Sequence, residues 1–453
     1  MAPQTYFVET WGCQMNVLDS QRLEGILQQR GLAPASTAAQ ADLVLLNTCS
    51  VREKAVQKVL SLLGELHHAP KTSGAPRIVG LCGCVAEQEG ARLLRRSLGL
   101  NFVLGPGRVS QLGSALDAVA AGENVSLTGF SATHDYDAHL IARGPGARQY
   151  VTIIHGCSQH CTFCIVPYTR GHEASRPLAD VVSEVRQIVA AGGREVTLLG
   201  QTVNAYRCPT SGADLGDLLG AVGAIDGLWR VQFLTSHPKL FTDSMIARIA
   251  AVPNLDKCLH VPFQSGSDRI LKRMHRGHTR EQYLALVHRL HSAIPDLTLS
   301  TDAIVGFPDE TEDDFADTLS LVEEVGFGQL YGFLFSARPR TPASQYGNRV
   351  PHAVASERLE RLFAAQSGIQ LDLNRRWVGR RVEVLVDGPA KRGSELWQGR
   401  GDDRRAVNFP GWDGIRAGEL ATLEITGATS HALLGERVQA GLPVWMSANH
   451  RRA

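Results

Sequence analysis

The sequence contains no hydrophobic run long enough to cross a membrane. No stretch approaches the roughly 18–20 consecutive apolar residues of a transmembrane helix. Its first residues, MAPQTYFVETWG, include neither a basic segment nor a long apolar one, so they do not resemble a secretory signal. We therefore expect a soluble protein of the cytoplasm that makes no contact with membranes.

An excess of charge of either sign is also missing. Lys and Arg total 46 against 45 Asp and Glu, which gives a formal net charge of +1. This balance excludes a histone-like or polyanionic protein, although a local basic face remains open. With 453 residues, of which 43% are hydrophobic and 20% are charged, the chain should fold into two or three globular domains rather than remain disordered.

Cysteine is absent from about the last 190 residues and is clustered before them. The nine cysteines occupy positions 13, 49, 82, 84, 157, 161, 164, 208 and 258. An odd number in a chain without a secretory signal argues against a disulfide framework, and the clustering argues against scattered core thiols. Ligation of a metal or a cluster is therefore the interpretation to test, with Cys208 and Cys258 expected as incidental buried thiols.

Strand-like and helix-like segments alternate over residues 3–121. Short apolar runs predict strands at 5–10, 42–47, 77–81 and 101–105, with helical spacing after each run. This alternation predicts an N-terminal parallel α/β sandwich. Residues 122–148 break the rhythm and are rich in Gly, Ser, Thr and Ala, so we place a linker at 122–142.

A second series of strands and helices fills residues 143–376. Its strands are predicted at 150–155, 195–200, 230–235, 258–263, 297–306 and 329–336. Six such units indicate a partial (β/α)6 barrel, with the active loops at the carboxyl ends of the strands. From 377 to 441 the pattern changes to short alternating runs with turns between them, which predicts a small all-β barrel. The fold class is therefore α/β with a C-terminal β domain.

The motif GCSQHCTFC places Cys157, Cys161 and Cys164 in C-x3-C-x2-C spacing just after the first strand of the central domain. Three thiolates on one short loop suit three irons of a cubane iron–sulfur cluster and leave the fourth iron open for a ligand. A zinc site would need a fourth ligand, for which His160 is available, so zinc remains an alternative at this point.

Three further cysteines follow three strands of the N-terminal domain. Cys13, Cys49 and Cys84 come after strands 5–10, 42–47 and 77–81. In a parallel sheet these loops open at the same edge, so distant thiols can converge there. Cys82 competes with Cys84 for the third position, but it lies nearer the strand, whereas the turn Gly83-Cys84 repeats Gly12-Cys13. We choose Cys84 and leave structural thiols as the alternative for this set.

The cysteine motif at 157–164, with Phe163 before its third cysteine, resembles the radical S-adenosylmethionine (SAM) enzymes. That resemblance implies a [4Fe–4S] cluster whose open iron binds SAM, and electron transfer that cleaves SAM to a 5′-deoxyadenosyl radical. The order TWGCQMN, NTCSVREKA, GCVAEQ and then this motif resembles the methylthiotransferases, whose N-terminal domain carries a second [4Fe–4S] cluster on three cysteines. The segments QGRGDDRRAVNF and GELATLEITGATSHALLGE resemble the TRAM module, an RNA-binding fold.

Within that family, the sequence resembles the MiaB-type branch, which modifies tRNA. The resemblance is carried by CTFCIVPYTRGHEASRP, LLGQTVNAYR, TSHP, VPFQSGSDRIL and STDAIVGFPDET. It implies conversion of N6-dimethylallyladenosine to its 2-methylthio form at tRNA position 37, with two SAM molecules and sulfur from the auxiliary cluster. The alternatives are a ribosomal-protein side chain or a different N6-modified adenosine as substrate, and a non-catalytic iron–sulfur module for RNA binding or electron transfer. His172 and Thr202 depart from the residues common in the family, which we expect to affect substrate contacts.

The same resemblance gives the candidate site residues. It assigns Cys13, Cys49 and Cys84 to the auxiliary cluster and Cys157, Cys161 and Cys164 to the cluster that binds SAM, with no catalytic side chain beyond these ligands. Residues at or near the carboxyl ends of barrel strands are expected to contact SAM: Gly200, Gln201, Ser236, Gln264, Ser265, Asp302 and Gly306.

A basic segment suggests how RNA is bound. From Arg375 to Arg405 there are nine Lys or Arg against five Asp or Glu, in a nearly neutral protein. A solvated charged face is the plainer interpretation, and phosphate binding is the more specific one. The expected phosphate contacts are Arg375, Arg376, Arg380, Arg381, Lys391, Arg392, Arg400, Arg404 and Arg405. The expected partners are the anticodon stem-loop of tRNA and an electron donor, with the protein as a monomer.

Overall fold

The N-terminal unit is a parallel sheet covered by helices on both faces. The structure, a computed structural model, describes residues 3–50, 53–68, 77–96, 99–130, 140–144, 146–390 and 395–438. The sheet has the strand order β2-β1-β3-β4-β5-β6, and all of its pairs are parallel. Its elements are β1 (Thr5–Trp11), α1 (Gln14–Gln29), β2 (Ala33–Pro34), β3 (Leu43–Thr48), α2 (Glu53–His68), β4 (Ile78–Gly83), α3 (Cys84–Arg95), β5 (Phe102–Leu104), α4 (Leu112–Ala120) and β6 (Val125–Leu127).

Alternating side chains of β3 divide the core into two layers. Leu43 and Leu45 pack with residues of α1 and α4 on one face of the sheet. Val44 and Leu46 pack with residues of α2 and α3 on the other face. A strand between two helical layers must be apolar on both sides, which explains its continuous apolar run. The predicted sandwich is confirmed.

The segment expected to be a linker begins with a strand. β6 pairs in parallel with β5 through Phe102 opposite Val125, so the sheet extends past residue 122. The bounds predicted for the linker, 122–142, therefore include a strand of the N-terminal sheet, Val125–Leu127. A three-residue strand at a sheet edge, in a stretch rich in Gly and Ser, gives too short a run for its periodicity to be recognised. Residues 131–139 of the expected linker lie outside the described part of the chain.

The central domain is a partial barrel built from two parallel sheets. One has the order β11-β10-β7 and the other β12-β13-β14, and a single bridge between Val231 and Leu255 joins them. All six predicted strands are present. The elements are β7 (Arg148–Thr152), β8 (Ile154–His155), α5 (Val166–Arg170), β9 (Ala174–Ser175), α6 (Leu178–Ala190), β10 (Glu195–Leu199), α7 (Leu215–Gly223), β11 (Arg230–Phe233), α8 (Asp243–Ala250), β12 (Cys258–His260), α9 (Asp268–Arg273), α10 (Arg280–Ala293), β13 (Thr298–Val305), α11 (Glu312–Val325), β14 (Gln329–Leu334) and α12 (His352–Arg375).

A small closed β-barrel follows α12, as the alternating pattern predicts. Its strand order is β15-β16-β17-β19-β18. Its core contains Val384, Phe409 and Ile425. The strands are β15 (Arg381–Pro389), β16 (Leu396–Arg400), β17 (Ala406–Pro410), β18 (Leu420–Ala428) and β19 (Leu433–Arg437). None of the described helices is both long and apolar enough to span a membrane.

The β-barrel is held against the central domain by hydrogen bonds and ion pairs. Arg404 bonds through Nε to Asp256 Oδ1 at 3.0 Å and through Nη2 to the Phe233 carbonyl at 3.2 Å. Trp229 Nε1 donates to Glu383 Oε1 at 2.7 Å. These contacts fix the position of the β-barrel relative to the strands of the central domain.

Candidate active site

Cys13, Cys49 and Cys84, here called the N-terminal triad, lie at the carboxyl edge of the N-terminal sheet. Cys13 is the residue before α1, Cys49 follows β3 and Cys84 begins α3. The Cys13 thiol is hydrogen-bonded to Cys49 and interacts electrostatically with Cys84. The parallel topology thus brings together thiols that are far apart in sequence.

The loops that carry this triad are held by an amide network. Asn16 Oδ1 accepts from the Cys13 backbone N–H at 3.3 Å, and Asn16 Nδ2 donates to Asn47 Oδ1 at 3.2 Å. Gly83 adopts a φ of +86°, and a Cβ at this position would lie 2.3 Å from Asn47 Oδ1. Only glycine fits this close, left-handed turn, so its presence between Cys82 and Cys84 is a structural requirement.

Cys82 faces away from the triad into the apolar core. It packs in the layer that contains Leu43 and Phe102. Burial raises the pKa of its thiol far above the ordinary value. This placement supports the choice of Cys84, because a thiol enclosed by aliphatic side chains is poorly placed to become a thiolate ligand. The hydrogen bond from Cys49 lowers the pKa of Cys13 to about 6, which favours the thiolate at that position.

Cys157, Cys161 and Cys164, here called the central triad, lie on the loop after β8. The loop is anchored by backbone bonds: Cys157 N–H donates to the Gly171 carbonyl at 3.0 Å and Cys164 N–H to the Cys161 carbonyl at 3.1 Å. Burial raises the pKa of Cys157 and raises that of Cys164 to about 12. Phe163 packs in a small apolar cluster beside the loop. The protons on these thiols must be released when the thiols bind a metal.

Two side chains contact sulfur atoms of the central triad. Thr202 Oγ1 lies 3.2 Å from Cys157 Sγ. Arg276 Nη1 donates to Cys161 Sγ at 3.4 Å, and its Nη2 donates to the Pro262 carbonyl at 2.9 Å. Thr202 is therefore a neighbour of a cysteine of the motif, and its effect on substrate contacts stays a prediction. Hydrogen bonds to sulfur from such neighbours tune a bound cluster.

One cavity of about 410 Å³ connects the two triads. Cys13 opens onto it from the N-terminal domain, and all three cysteines of the central triad line it. Part of its wall is apolar and includes Leu199, Leu234, Ile304, Phe333 and Phe335. The two modules therefore face a common space at the carboxyl ends of their strands.

Two residues of the cavity carry buried polar atoms that make no hydrogen bond to any part of the chain described by the structure. These atoms are Gln201 Oε1 and Arg276 Nε, and both residues line the cavity. Unpaired buried polar atoms are costly, so they indicate groups that a ligand satisfies. The residues thus fit a polar ligand such as SAM beside a thiol-bound cluster.

Single-ion coordination has no support in the part of the chain described here. No three or more His, Cys, Asp and Glu side chains among those residues are arranged to hold one metal ion. The zinc alternative at Cys157, Cys161 and Cys164 requires such a group. In a cubane each thiolate binds a different iron, so the thiols need not converge on one point.

Known proteins resemble the chain in both cysteine-bearing modules. Residues 151–322 match the radical SAM superfamily, and residues 5–105 match the uncharacterized protein family UPF0004. The tRNA-2-methylthio-N(6)-dimethylallyladenosine synthase of Carboxydothermus hydrogenoformans is 42% identical over 430 residues, which cover 94% of this chain and 97% of that protein. The synthase of Xanthomonas oryzae pv. oryzae is 42% identical over 443 residues, which cover 96% of this chain and 91% of that protein.

The chain belongs to the tRNA-2-methylthio-N(6)-dimethylallyladenosine synthase family. Identity of this level over nearly the full length of both chains confirms the resemblance inferred from the motifs. A solved structure of the radical SAM methyltransferase TsrM from Kitasatospora setae has a TM-score of 0.56 at 14% identity and covers 85% of this chain and 78% of its own. It shows the shared fold. Membership of the family implies a [4Fe–4S] cluster and SAM as cofactors.

Five of the seven residues expected to contact SAM line the cavity, namely Gly200, Gln201, Ser236, Gln264 and Asp302. Gln264 and its neighbour in the wall, Thr235, have positive φ values of 73° and 67°. Non-glycine residues in this conformation are rare, and they are concentrated at functional sites. Their role in this family of synthases stays a prediction.

The other two, Ser265 and Gly306, do not line the cavity. Ser265 is buried, and its Oγ lies 3.4 Å from Thr318 Oγ1. Gly306 has a φ of +72°, and its N–H donates to Glu310 Oε2 at 3.0 Å. Contact of either residue with SAM stays a prediction.

Several cavity residues were missed by sequence reasoning. Arg276 follows a short helix and has no local signal, because its contact with Cys161 depends on tertiary packing. Phe333 and Phe335 did have a local signal. They alternate with Leu334 in the strand predicted at 329–336, so a period of two would have placed both rings on one face, although β14 itself ends at Leu334.

The basic segment divides into exposed and paired residues. Arg376, Arg380 and Arg381 are exposed, and Arg380 lies over the Trp377 ring at 5.5 Å. Arg404 was expected to bind phosphate, but it is largely buried and paired with a carboxylate of the central domain, which corrects that expectation. Three further arginines of the segment form ion pairs: Arg375 with Asp372, Arg400 with Asp387 and Arg405 with Asp403. Lys391 and Arg392 lie outside the described residues.

Proposed function

We propose that this chain is a tRNA methylthiotransferase that converts N6-dimethylallyladenosine to 2-methylthio-N6-dimethylallyladenosine at position 37, next to the anticodon. The observation that carries this proposal is the single cavity onto which Cys13 and the three cysteines of the central triad open. A sulfur donor and a SAM-activating site must reach the same carbon atom, so they need a shared space. The names of the 42% identical relatives support tRNA as the substrate.

Two [4Fe–4S] clusters and SAM complete the proposal. We assign the central triad to the cluster that binds SAM and the N-terminal triad to an auxiliary cluster. When bound, these groups supply the radical chemistry that activates the C2–H bond of adenine, and they supply the methyl group, from one of two SAM molecules, and the sulfur atom. No side-chain acid or base can remove such a hydrogen, which is why a cofactor is required.

The side chains of the cavity position the reactants and exclude water. Gln201 and Arg276 carry the unpaired buried atoms Oε1 and Nε, which suit the polar groups of SAM. The apolar wall that includes the buried Leu199 limits the access of water to the reacting atoms. Asp302 adds a carboxylate from within β13, where hydroxyl or amino groups of a ligand can be bound, and its Oδ2 lies 3.4 Å from His260 Nε2.

The exposed arginines bind the RNA, and the position of the substrate base in a loop lets that base enter the cavity. A base must leave its stack to enter such a cavity, and an unpaired anticodon-loop base does so at low cost. Arg375, Arg376, Arg380 and Arg381, here called the basic patch, are exposed and supply phosphate contacts from the end of α12 and the start of the TRAM-like barrel. We expect the protein to act as a monomer in the cytoplasm, with an external electron donor.

Mass spectrometry of tRNA nucleosides from a strain without this protein tests the proposal. We expect the 2-methylthio group to disappear while N6-dimethylallyladenosine accumulates, and a plasmid copy of the gene to restore the modification. Intact tRNA together with an altered ribosomal protein would instead support the protein-modifying alternative. Loss of a methylthio group from another N6-modified adenosine would support a different nucleoside substrate.

A further inference from the structure

A buried ion pair joins the central domain to α1 of the N-terminal domain, beside the N-terminal triad. Arg170 is the last residue of α5, and its Nη2 lies 2.7 Å from Oδ2 of Asp19 in α1. The side chains of Arg170 and Asp19 are only 3% and 4% exposed. Burial of a charged pair is costly unless each group is fully hydrogen-bonded, so its place in the structure needs an explanation.

The second terminal nitrogen of this guanidinium, Nη1, is buried and makes no well-aligned hydrogen bond to any residue that the structure describes. The Arg170 side chain nevertheless lies within hydrogen-bonding reach of the Cys84 thiol. The guanidinium lies beside the triad, where it interacts electrostatically with the thiols of Cys84 and Cys13. A buried unpaired donor next to thiols is satisfied when an anionic sulfur group occupies the site.

The same short segment also supports the central triad. Gly171, which follows Arg170, accepts the hydrogen bond of the Cys157 N–H at 3.0 Å. One dipeptide therefore contacts the surroundings of both triads, by a side chain on one side and by a carbonyl on the other. A displacement of Arg170 would therefore change the surroundings of both triads.

We propose that Arg170 is a positioning residue of the N-terminal triad: its Nη1 donates a hydrogen bond to an anionic sulfur of the cluster bound by Cys13, Cys49 and Cys84, and its positive charge raises the reduction potential of that cluster. The proposal rests on the proposed function, because that function assigns a cluster to these thiols. Net charge and hydrogen bonds to sulfur are the factors by which a protein sets such a potential. Asp19 holds the guanidinium in place and offsets part of its charge.

The test is a redox titration of the full-length chain in which Cys157, Cys161 and Cys164 are replaced by Ala, so that the signal comes from the N-terminal triad alone. In this background we expect Arg170→Met to shift the reduction potential to a more negative value. Arg170→Lys, which keeps the charge, should shift it less. Asp19→Asn, which keeps Arg170 but removes the opposing charge, should shift it to a more positive value.

Arg358→Lys is the matched control, because Arg358 is equally buried and pairs with Glu310 at 2.9 Å away from both triads. It should leave the potential unchanged. Potentials equal to that of the parent chain in Arg170→Met and Asp19→Asn, at equal iron content, would overturn the inference. If Arg170→Met fails to retain iron, Arg170→Lys and Asp19→Asn decide, and unchanged potentials in both would overturn it. Failure of the parent chain to bind any iron would overturn the auxiliary cluster and the inference with it.

Discussion

At the scale of single residues, the neighbours of the thiols are as informative as the thiols. Thr202 contacts Cys157, Arg276 contacts Cys161, and Arg170 lies beside Cys84. Each neighbour places a hydroxyl or guanidinium group beside a sulfur atom that must carry negative charge when it binds iron. Such neighbours can stabilise the thiolates once iron is bound.

Thr202 offers a test of this arrangement. We expect Thr202→Val, which has the same shape without the hydroxyl, to lower SAM cleavage about tenfold, the lower end of the effect of such neighbours. Thr202→Ser keeps the hydroxyl and should retain most of the activity. The measurement is 5′-deoxyadenosine formed under anaerobic conditions, normalised to iron content. Equal rates in the Val variant and the parent chain would show that the hydrogen bond has no role.

Two buried histidines next to Arg276 make stability depend on pH. Burial, aided by the charge of Arg276, lowers the pKa of His237 to about 2 and that of His278 to about 4. Below the ordinary pKa of about 6.5, the unfolded chain binds protons that the folded chain does not. The free energy of unfolding is therefore at its full value, as far as these histidines are concerned, above about pH 6.5. As the pH falls below that value, it decreases by roughly 1.4 kcal/mol per pH unit for each histidine.

We expect His278→Gln to reduce this loss. Urea unfolding of the variant and the parent chain, in the same cofactor state, should be compared at about pH 7.5 and about pH 5.5. The free energy of unfolding should fall by about 1 kcal/mol less in the variant. An identical pH dependence in both proteins would mean that His278 is already protonated in the fold.

At the scale of elements, the turn after β4 decides where the N-terminal triad forms. Gly83 permits a φ of +86° between the buried Cys82 and Cys84. We expect Gly83→Ala to lower the free energy of unfolding by about 3 kcal/mol or more, because the new Cβ would clash with Asn47 and strain the backbone. Iron bound at the N-terminal triad should fall with it.

Gly31→Ala is the matched control for this turn. Gly31 has a similar φ of +83°, but no atom lies within 4 Å of the position of its Cβ. Gly31→Ala should lower the free energy of unfolding by about 1–2 kcal/mol, which is the backbone cost alone, and should leave the iron content unchanged. Equal losses in the two variants, measured by urea unfolding, would contradict the role assigned to the contact with Asn47.

The elements also show what the sequence could reveal. Long apolar runs such as 42–47 predicted the buried parallel strands, and the parallel order predicted that Cys13, Cys49 and Cys84 share an edge. The sequence did not predict β2 and β6, because strands of two or three residues at a sheet edge carry no periodicity. The ion pairs of Arg170 and Arg404 were not predicted for another reason. Their partners belong to other domains, and no local pattern encodes how domains pack.

At the scale of the whole molecule, the three domains together must bring RNA to the cavity. Arg404 and Trp229 participate in the contacts that hold the β-barrel to the central domain. The basic patch, Arg375, Arg376, Arg380 and Arg381, lies at the end of α12 and the start of that barrel. A fixed barrel gives these charges a fixed distance from the cavity, which suits recognition of a folded RNA.

We expect replacement of all four patch arginines by Gln to weaken tRNA binding and to flatten its dependence on salt. Each lost phosphate contact should reduce the slope of log affinity against log salt by about 0.9. Arg289→Gln is the control, because Arg289 is exposed on α10 and pairs with Asp243 outside the patch. Binding measured over a range of salt concentrations decides, and an unchanged slope in the fourfold variant would contradict RNA binding by this face.

The most direct test of the whole account is a reaction of the reconstituted protein with tRNA that carries N6-dimethylallyladenosine, without oxygen and with SAM and a reductant. The parent chain should yield both 5′-deoxyadenosine and the 2-methylthio nucleoside. Replacement of Cys13, Cys49 or Cys84 by Ala should abolish the methylthio product while SAM cleavage at the central triad continues. Full formation of the product in any of these three variants would contradict the assignment of sulfur transfer to the N-terminal triad.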